Sequence, residues 1–526
     1  MRILVASALA LLISLPLLAQ TTSLVQDNVG NAEAVYYFHQ RNVARSSTGV
    51  LMVVWVDIRS AVAGGQVQYS TYDPGFDTWS PPAAVSNAGD RARQPALAAD
   101  EDGNIHCVWM QTDVSGAKYQ EYSSKFNGVS WSTPVQASQA STGRAEEGTI
   151  EVASDGTLWL IYNNDGEGAG NEHVFAVKST DGGSTWGPEV DTLSTGGTLG
   201  TSIEVGRAAV AAGPAGKMVV VWDNNPTGTS TNPRETYCNQ FDGSTWRGQE
   251  LVSDSAASVT EGRLGNRYSA AAIDQNSNIY VFYNINRSSS DTLPRTLVMH
   301  RKAWDDAWSP VPTTVIDSHP TVSMRSVSAV IDSMGKIHLA YRRDVEADTL
   351  YDLDEIAYTW SVDQGDTWAT PIVVSRPDHD GGYVTVANRY RMAYGIDIAW
   401  RESRDPNVGD QDTLAIMYGN VPYSLTSAEP PAGPVSFRLW NNFPNPFNPT
   451  TAITYELSQR GRVTLVVYDA LGREIKTLFS GVRDAGTYRT QWDGTDASGT
   501  RVASGVYYSR LTSGQGIQSI KMILIK

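Results

Sequence analysis

The sequence predicts an all-β chain: a seven-bladed β-propeller followed by a small β-sandwich, with six blades as the alternative count. Three observations predict it. A strand–turn–strand pattern that opens on Arg and ends on Trp or Tyr recurs about every 60 residues, the signature of a repeat architecture. The octet Ser179-Thr180-Asp181-Gly182-Gly183-Ser184-Thr185-Trp186 returns as Ser361-Val362-Asp363-Gln364-Gly365-Asp366-Thr367-Trp368. Beyond a Pro-rich stretch at 425–436, the pattern changes to short alternating strands.

The clearest repeat runs from Arg93 to Trp109. Copies run from Arg207 to Trp222, Arg267 to Tyr283 and Arg325 to Tyr341, with a shortened one from Arg41 to Trp55 and an acidic one from Glu146 to Tyr162. Each unit reads as strand A, an Asp/Gly turn, strand B, strand C, an octet-like turn and a short strand D such as Pro134–Ser138. Small residues crowd strand A (Ala96, Ala98, Ala99; Ala270, Ala271, Ala272), as expected where strands converge on an axis. Six units carry a Trp at the C–D turn. A seventh, Arg391 to Trp400 and then Thr413 to Tyr418, lacks its own strand D; Thr22–Gln26 resembles one and is expected to close the ring.

The octet is a turn chemistry. Asp accepts hydrogen bonds from the amides after it, Gly takes the left-handed position, and Trp enters the apolar layer. Ser179, Asp181, Gly183 and Trp186, and equally Ser361, Asp363, Gly365 and Trp368, resemble the Asp box, or bacterial neuraminidase repeat, of the sialidase superfamily. Degraded copies end at Trp79, Trp131, Trp246 and Trp308. The resemblance implies a propeller whose Asp boxes are structural.

The bulk numbers narrow the class. The formal charge of −16 argues against nucleic acid. The 15 Trp and 24 Tyr against 10 Phe suit half-buried β-structure. Cys107 and Cys238 fall in different units and read as two buried thiols. Residues 1–19 read as a signal peptide: a basic start and an apolar run interrupted by Ser7, Ser14 and Pro16, with cleavage expected near Ala19. No later stretch is apolar enough to span a membrane, and the mature chain is expected to be a monomer.

Residues 437–526 carry 11 Lys/Arg against 6 Asp/Glu, a net +5 opposite in sign to the whole chain. With Asn442 to Thr451, the Tyr468-Asp469 turn to Gly472, and the final Lys521 to Lys526, this segment resembles the Ig-like C-terminal sorting domain of type IX secretion cargo. The resemblance implies a Gram-negative bacterial protein, secreted or held at the cell surface, whose residues 437–526 engage outer-membrane secretion machinery. The domains expected are therefore a signal peptide (1–19), the propeller (20–424), a linker (425–436) and the sorting domain (437–526).

The start of strand A and the end of strand B share one face of a propeller. The ligand-binding candidates there are Arg41, Arg59, Arg93, Arg207, Arg267, Arg325 and Arg391, since clustered guanidiniums can clamp a carboxylate; inter-blade ion pairing is the equal alternative. Active sialidases pair three arginines with an Asp acid/base and a Tyr nucleophile assisted by a Glu. By that resemblance the catalytic candidates are Tyr268, Tyr390, Glu147 and Asp57. The chain departs from the family at Ser60–Gly65, where no carboxylate stands at the acid/base position. The reading favours a module binding a glycan or surface protein; an exo-glycosidase cleaving terminal acidic sugars is the alternative. No cofactor is expected. Two acidic loops, Asn163–Glu167 and Asp405–Asp412, offer oxygen ligands for calcium but lack EF-hand spacing and read better as solvated loops.

Overall fold

A computed structural model describes residues 21–525 apart from 30–39, 58–64, 165–172, 195–203, 226–234, 254–266, 287–294, 346–353, 404–413, 423–437 and several shorter stretches. The signal-peptide segment, the Pro-rich stretch and most of both acidic loops lie outside the described residues. The chain is all-β, with a single 3-10 turn at Pro214–Gly216 among the described residues.

Seven small antiparallel sheets precede Pro422 among the described residues, and each is built from strands consecutive in sequence except the last. Their first strands are Val43–Arg45, Arg93–Ala99, Ala145–Val152, Glu204–Ala212, Arg267–Ile273, Val322–Ile331 and Asp380–Val386. Each first strand touches the first strand of the next sheet, and Asp380–Val386 returns to touch Val43–Arg45. The cores follow the same circuit. Trp109 and Phe126 pack with Val54 and Val67 between the first two sheets, and Trp159 packs with Val220 and Trp222 between the third and fourth. The circuit ends with Val53 and Trp55 against Ala399 and Ile416, which joins the first sheet to the seventh. Alanines in the first strands permit this convergence, since a longer side chain at the same spacing would overpack the centre.

The seventh sheet corrects the reading of its repeat. Its first strand is Asp380–Val386, not a strand led by Arg391, which lies between Asp380–Val386 and Ile396–Ser403 and outside the described residues. No Arg opens that strand. Asp380 does, followed by Gly381 and Gly382, and a Cβ on Gly382 would come within 3.1 Å of the Arg401 guanidinium. The fourth strand is Thr21–Gln26, paired antiparallel with Leu414–Val421, so the start of the chain completes the end of the repeat array.

Both octets fold as hydrogen-bonded turns. Ser179 Oγ donates to Asp181 Oδ1 at 2.8 Å, and Asp181 accepts the Thr185 amide at 2.9 Å and its hydroxyl at 2.6 Å. These bonds from Thr185 hold the Asp181 carboxyl at a pKa of about 2. Asp363 accepts the Thr367 amide and hydroxyl in the same way. Gly183 and Gly365 take φ of 85° and 88°, the region glycine occupies without strain. In each case the terminal Trp leaves its own sheet and packs on the preceding one. Trp186 donates from Nε1 to Ser123 Oγ of the second sheet, and Trp368 meets Phe282 of the fifth edge to face. Trp131 packs likewise on Tyr69, Trp246 on Trp159, and Trp79 on Tyr418 of the seventh sheet. Cys107 and Cys238 are buried, unbridged and in different sheets.

After residue 437 come two further sheets, one of three strands and one of four. They enclose a core that includes Phe447, Tyr455, Leu465, Trp492, Leu511 and Met522. The Asn-Pro motif is tied to the last strand: Asn445 donates to the Lys521 carbonyl and accepts from the Ile523 amide. Asp469 accepts the Arg473 amide across the turn that Gly472 closes.

A Trp that bridges two sheets should be worth more than the turn that presents it. Trp186→Ala and Trp368→Ala are expected to cost roughly 3–5 kcal/mol each, as large aromatic truncations do, and Asp181→Ala less. Urea unfolding of the three variants tests this; tryptophan variants that unfold at the wild-type midpoint would refute it.

Candidate functional site

The first strands share one irregularity. In six of them the pairing with the second strand slips at the same place: between Arg93 and Ala96, Glu146 and Thr149, Gly206 and Ala209, Arg267 and Ala270, Arg325 and Val327, and Gly382 and Thr385. Within these bulges Gln94, Glu147, Arg207, Ser326 and Tyr383 adopt φ between 43° and 58°. Non-glycine residues there cost about 1–3 kcal/mol each and persist only where surroundings enforce them. A bulge re-aims a side chain. Repeated in six of the seven sheets, it sets one residue of each at one end of the central channel. Tyr268 occupies the equivalent register, but its side chain lies outside the described residues.

These residues are knitted from sheet to sheet. Gln40 is 1% exposed and donates from Nε2 to the carbonyls of Gln94 (3.0 Å) and Gly148 (2.9 Å), which draws the first, second and third sheets together. The Glu147 amide donates to Gln94 Oε1. Glu147 Oε2 accepts from Asn163 Nδ2 at 2.9 Å and from the Arg207 amide at 3.3 Å. On the seventh sheet the Arg401 guanidinium lies over the Tyr383 ring, 4.8 Å from its centroid. The opening thus offers a carboxylate, amides, guanidiniums and an aromatic face.

Register separates the candidate arginines. Arg93 and Arg325 precede their bulges, whereas Arg207 is itself the left-handed residue. Arg41 lies deeper still. The Val54 amide bonds the Asn42 carbonyl, which makes Asn42 the counterpart of Ala96 and places Arg41 two residues beyond the Arg93 position. Arg41 is only 9% exposed; it faces Glu151 at 3.4 Å and donates to the Val210 carbonyl at 3.5 Å inside the channel. The side chains of Arg267 and Arg325, and all of Arg59, Arg391 and Tyr390, lie outside the described residues. Asp57 ends the strand Leu51–Asp57 and is half-buried. Asp223, 3% exposed, accepts from Ser269 Oγ at 2.5 Å, a bond between adjacent sheets. Glu402 is fully buried and accepts from Arg376 and Trp400.

Sequence reasoning missed Gln40, Gln94, Tyr383 and Arg401, and with them Asn388, whose Nδ2 donates to Glu151 at 2.9 Å deeper in the channel. The signal for Tyr383 was the Gly381-Gly382 pair before it; the others carried none. It also missed Glu121. This carboxyl is fully buried beneath the third-sheet bulge, and a Cβ on Gly148 would sit 2.5 Å from it. Burial raises its pKa to about 8; the Gly148 amide at 2.9 Å opposes the shift, and Glu146 and Glu147 reinforce it. For calcium, Asn163 and Asn164 are buried strand residues, and among the described residues no cluster of three His, Cys, Asp or Glu forms a metal site.

Because Glu121 holds its proton longer folded than unfolded (about 8 against ~4.3), it lowers stability as pH rises through that window. Glu121→Gln, which keeps an acceptor for the Gly148 amide, should therefore gain on wild type between pH 5 and 8 and match it near pH 4. Urea midpoints at the three pH values decide it; a pH-independent difference would refute it.

The FlgD Ig-like domain model matches residues 445–516. No curated protein matches the chain. Among solved structures, the PL25 ulvan lyase superposes with a TM-score of 0.54 at 12% identity, over 77% of this chain and 96% of that one. The same lyase, bound to -[GlcA(1-4)Rha3S]-, gives the same values. The polysaccharide lyase Uly1 superposes with a TM-score of 0.50 at 10% identity, over 73% and 90%. A Hadza microbial sialidase, Hz136, aligns at 0.41 and 13% identity, over 70% and 75%. At these identities the likeness is one of fold: the chain shares an all-β architecture with carbohydrate-active proteins and ends in an Ig-like domain.

Proposed function

We propose that this chain is a secreted glycan-binding protein: a seven-bladed β-propeller of Asp-box type that binds an acidic polysaccharide at one channel mouth and is exported by its C-terminal domain. The observation that carries the reading is the ring of left-handed, non-glycine residues at the bulges. Strain of this kind, repeated at one register, is retained where it positions side chains for a ligand. Arg207 and Arg401 supply donors for an anion, Glu147, Gln94 and Asn163 answer hydroxyls, and Tyr383 offers a stacking face. The architecture shared with two polysaccharide lyases, one of them holding a glucuronate-containing unit, supports the ligand class.

Binding is favoured over cleavage. Hydrolysis needs a protonated acid facing the scissile bond and a second group opposite it. Among the described residues, Glu121 has the raised pKa of such an acid, but Gly148 seals it from the mouth. The exo-glycosidase alternative would need Glu147, the carboxyl at the opening, or an acid from outside the described residues to take that role.

Uronic-acid polysaccharides immobilised beside neutral ones are the test. The mature protein should retain the acidic ones, release no product, and weaken with salt. Arg207→Ala with Arg401→Ala should lower affinity about tenfold or more, the worth of a charge-assisted bond. Equal retention of neutral and acidic polymers would overturn the ligand class, and product release that survives dilution would overturn binding without cleavage.

Residues 437–526 are proposed as a separable export domain, and 1–19 as a signal peptide. Deleting 437–526 should leave a folded propeller inside the cell envelope. Normal surface display of the truncated chain, read by protease accessibility on whole cells, would remove the sorting assignment.

A further inference from the structure

The channel has a second end. A cavity of about 190 Å³ lies where the first strands finish, among Val152, Ala212, Ile273 and Ile331, at the opposite end from the bulges. A single water needs roughly 10–15 Å³ by this kind of measure, so the space accepts a small organic molecule. Its walls include the methyl groups of Ala211, Ala271 and Ala329. Its inner end holds three buried polar groups. Arg41 Nη1 faces Glu151 Oε2, and Asn388 Nδ2 donates to Glu151 Oε1 at 2.9 Å. The Arg41–Glu151 pair spans 3.4 Å, whereas the Arg45–Asp397 pair in the same protein closes to 2.6 Å on one arm and 2.7 Å on the other. Tight charge-assisted bonds measure about 2.7–2.9 Å. Arg45 and Asp397 lock two sheets together; Arg41 and Glu151 are drawn apart beside open space.

We propose that this cavity is a binding site for one neutral sugar ring, independent of the acidic-polysaccharide mouth. A guanidinium and a carboxylate side by side have no net charge to offer, so an ionic ligand would bring an uncompensated charge into a buried place. Neighbouring hydroxyls suit the pair: each donates to Glu151 and accepts from Arg41 or Asn388. The ring's C–H face meets the alanine methyls. The strands leave room for a single residue and not for a chain running through the channel, because Gln40 closes the path toward the bulges.

The test is calorimetric titration of the mature full chain with D-galactose, L-rhamnose, D-xylose and D-glucuronate. At least one neutral sugar should bind with a millimolar dissociation constant, and glucuronate at least tenfold more weakly. Gln275→Trp places an indole at the cavity's exposed lip and should weaken the neutral sugar tenfold or more, as should Glu151→Gln. Arg207→Ala at the mouth should leave it unchanged, which separates failure here from failure of the polysaccharide reading. If Glu151→Gln does not fold, Gln275→Trp decides alone. No heat from any neutral sugar, a preference for glucuronate, or full binding by Gln275→Trp would overturn the proposal.

Discussion

Seven first strands each turn one edge toward a common centre, and an inward edge carries backbone groups that no neighbouring strand pairs. Much of the interior is an answer to that constraint. Asn42 donates to the Pro95 carbonyl, Gln40 to those of Gln94 and Gly148, and Arg41 to that of Val210. The Leu97 amide finds the Arg41 carbonyl, Ala99 finds Asn388, and Val386 finds Ser328. The Asn42 amide donates to Thr385 Oγ1, so three consecutive residues, Gln40, Arg41 and Asn42, serve strands of four other sheets. The segment that enters the first sheet also fills the axis.

The outer contacts solve a different problem, that of holding separate sheets at a fixed spacing. Each sheet has its own hydrogen-bonded ladder, so cohesion between sheets comes from side chains. The turn tryptophans reach backwards onto the preceding sheet, and two of them also hydrogen-bond there: Trp186 donates from its indole to Ser123 and Trp79 to Ser23. The junction of first and seventh sheets adds the bidentate Arg45–Asp397 pair, with Tyr418 also donating to Asp397. That junction joins the two ends of the array. The strand Thr21–Gln26 reinforces it by bonding to the seventh sheet while Trp79 of the first rests against Tyr418.

The two channel ends differ in what the strands leave exposed. One end carries strained bulges that raise polar side chains above the strands; the other widens into a cavity with a loosely drawn ion pair. The buried Glu121 lies under the first of these ends. Its carboxyl supports the Gly148 backbone, and protonation lets it remain there without a countercharge.

Local chemistry was legible in the sequence. The octets folded as their Ser, Asp, Gly, Thr and Trp require, because each bond spans four residues or fewer. The crowding of Ala96, Ala98 and Ala99 marked an inner strand, and the likeness of Thr22–Gln26 to an outer strand anticipated its pairing. The alternating segments after residue 437 marked a sandwich. Register was not legible. A bulge inserts one residue without changing the letters around it, and a one-residue shift turns a side chain to the other face. Arg41, Arg93 and Arg207 look equivalent as Arg before small residues, yet tertiary pairing makes one a channel residue, one a residue before the bulge and one the bulge itself. Asp380–Val386 was missed for the same reason: its role is set by the Arg401 that crosses Gly382, a contact between strands that no spacing along the chain encodes.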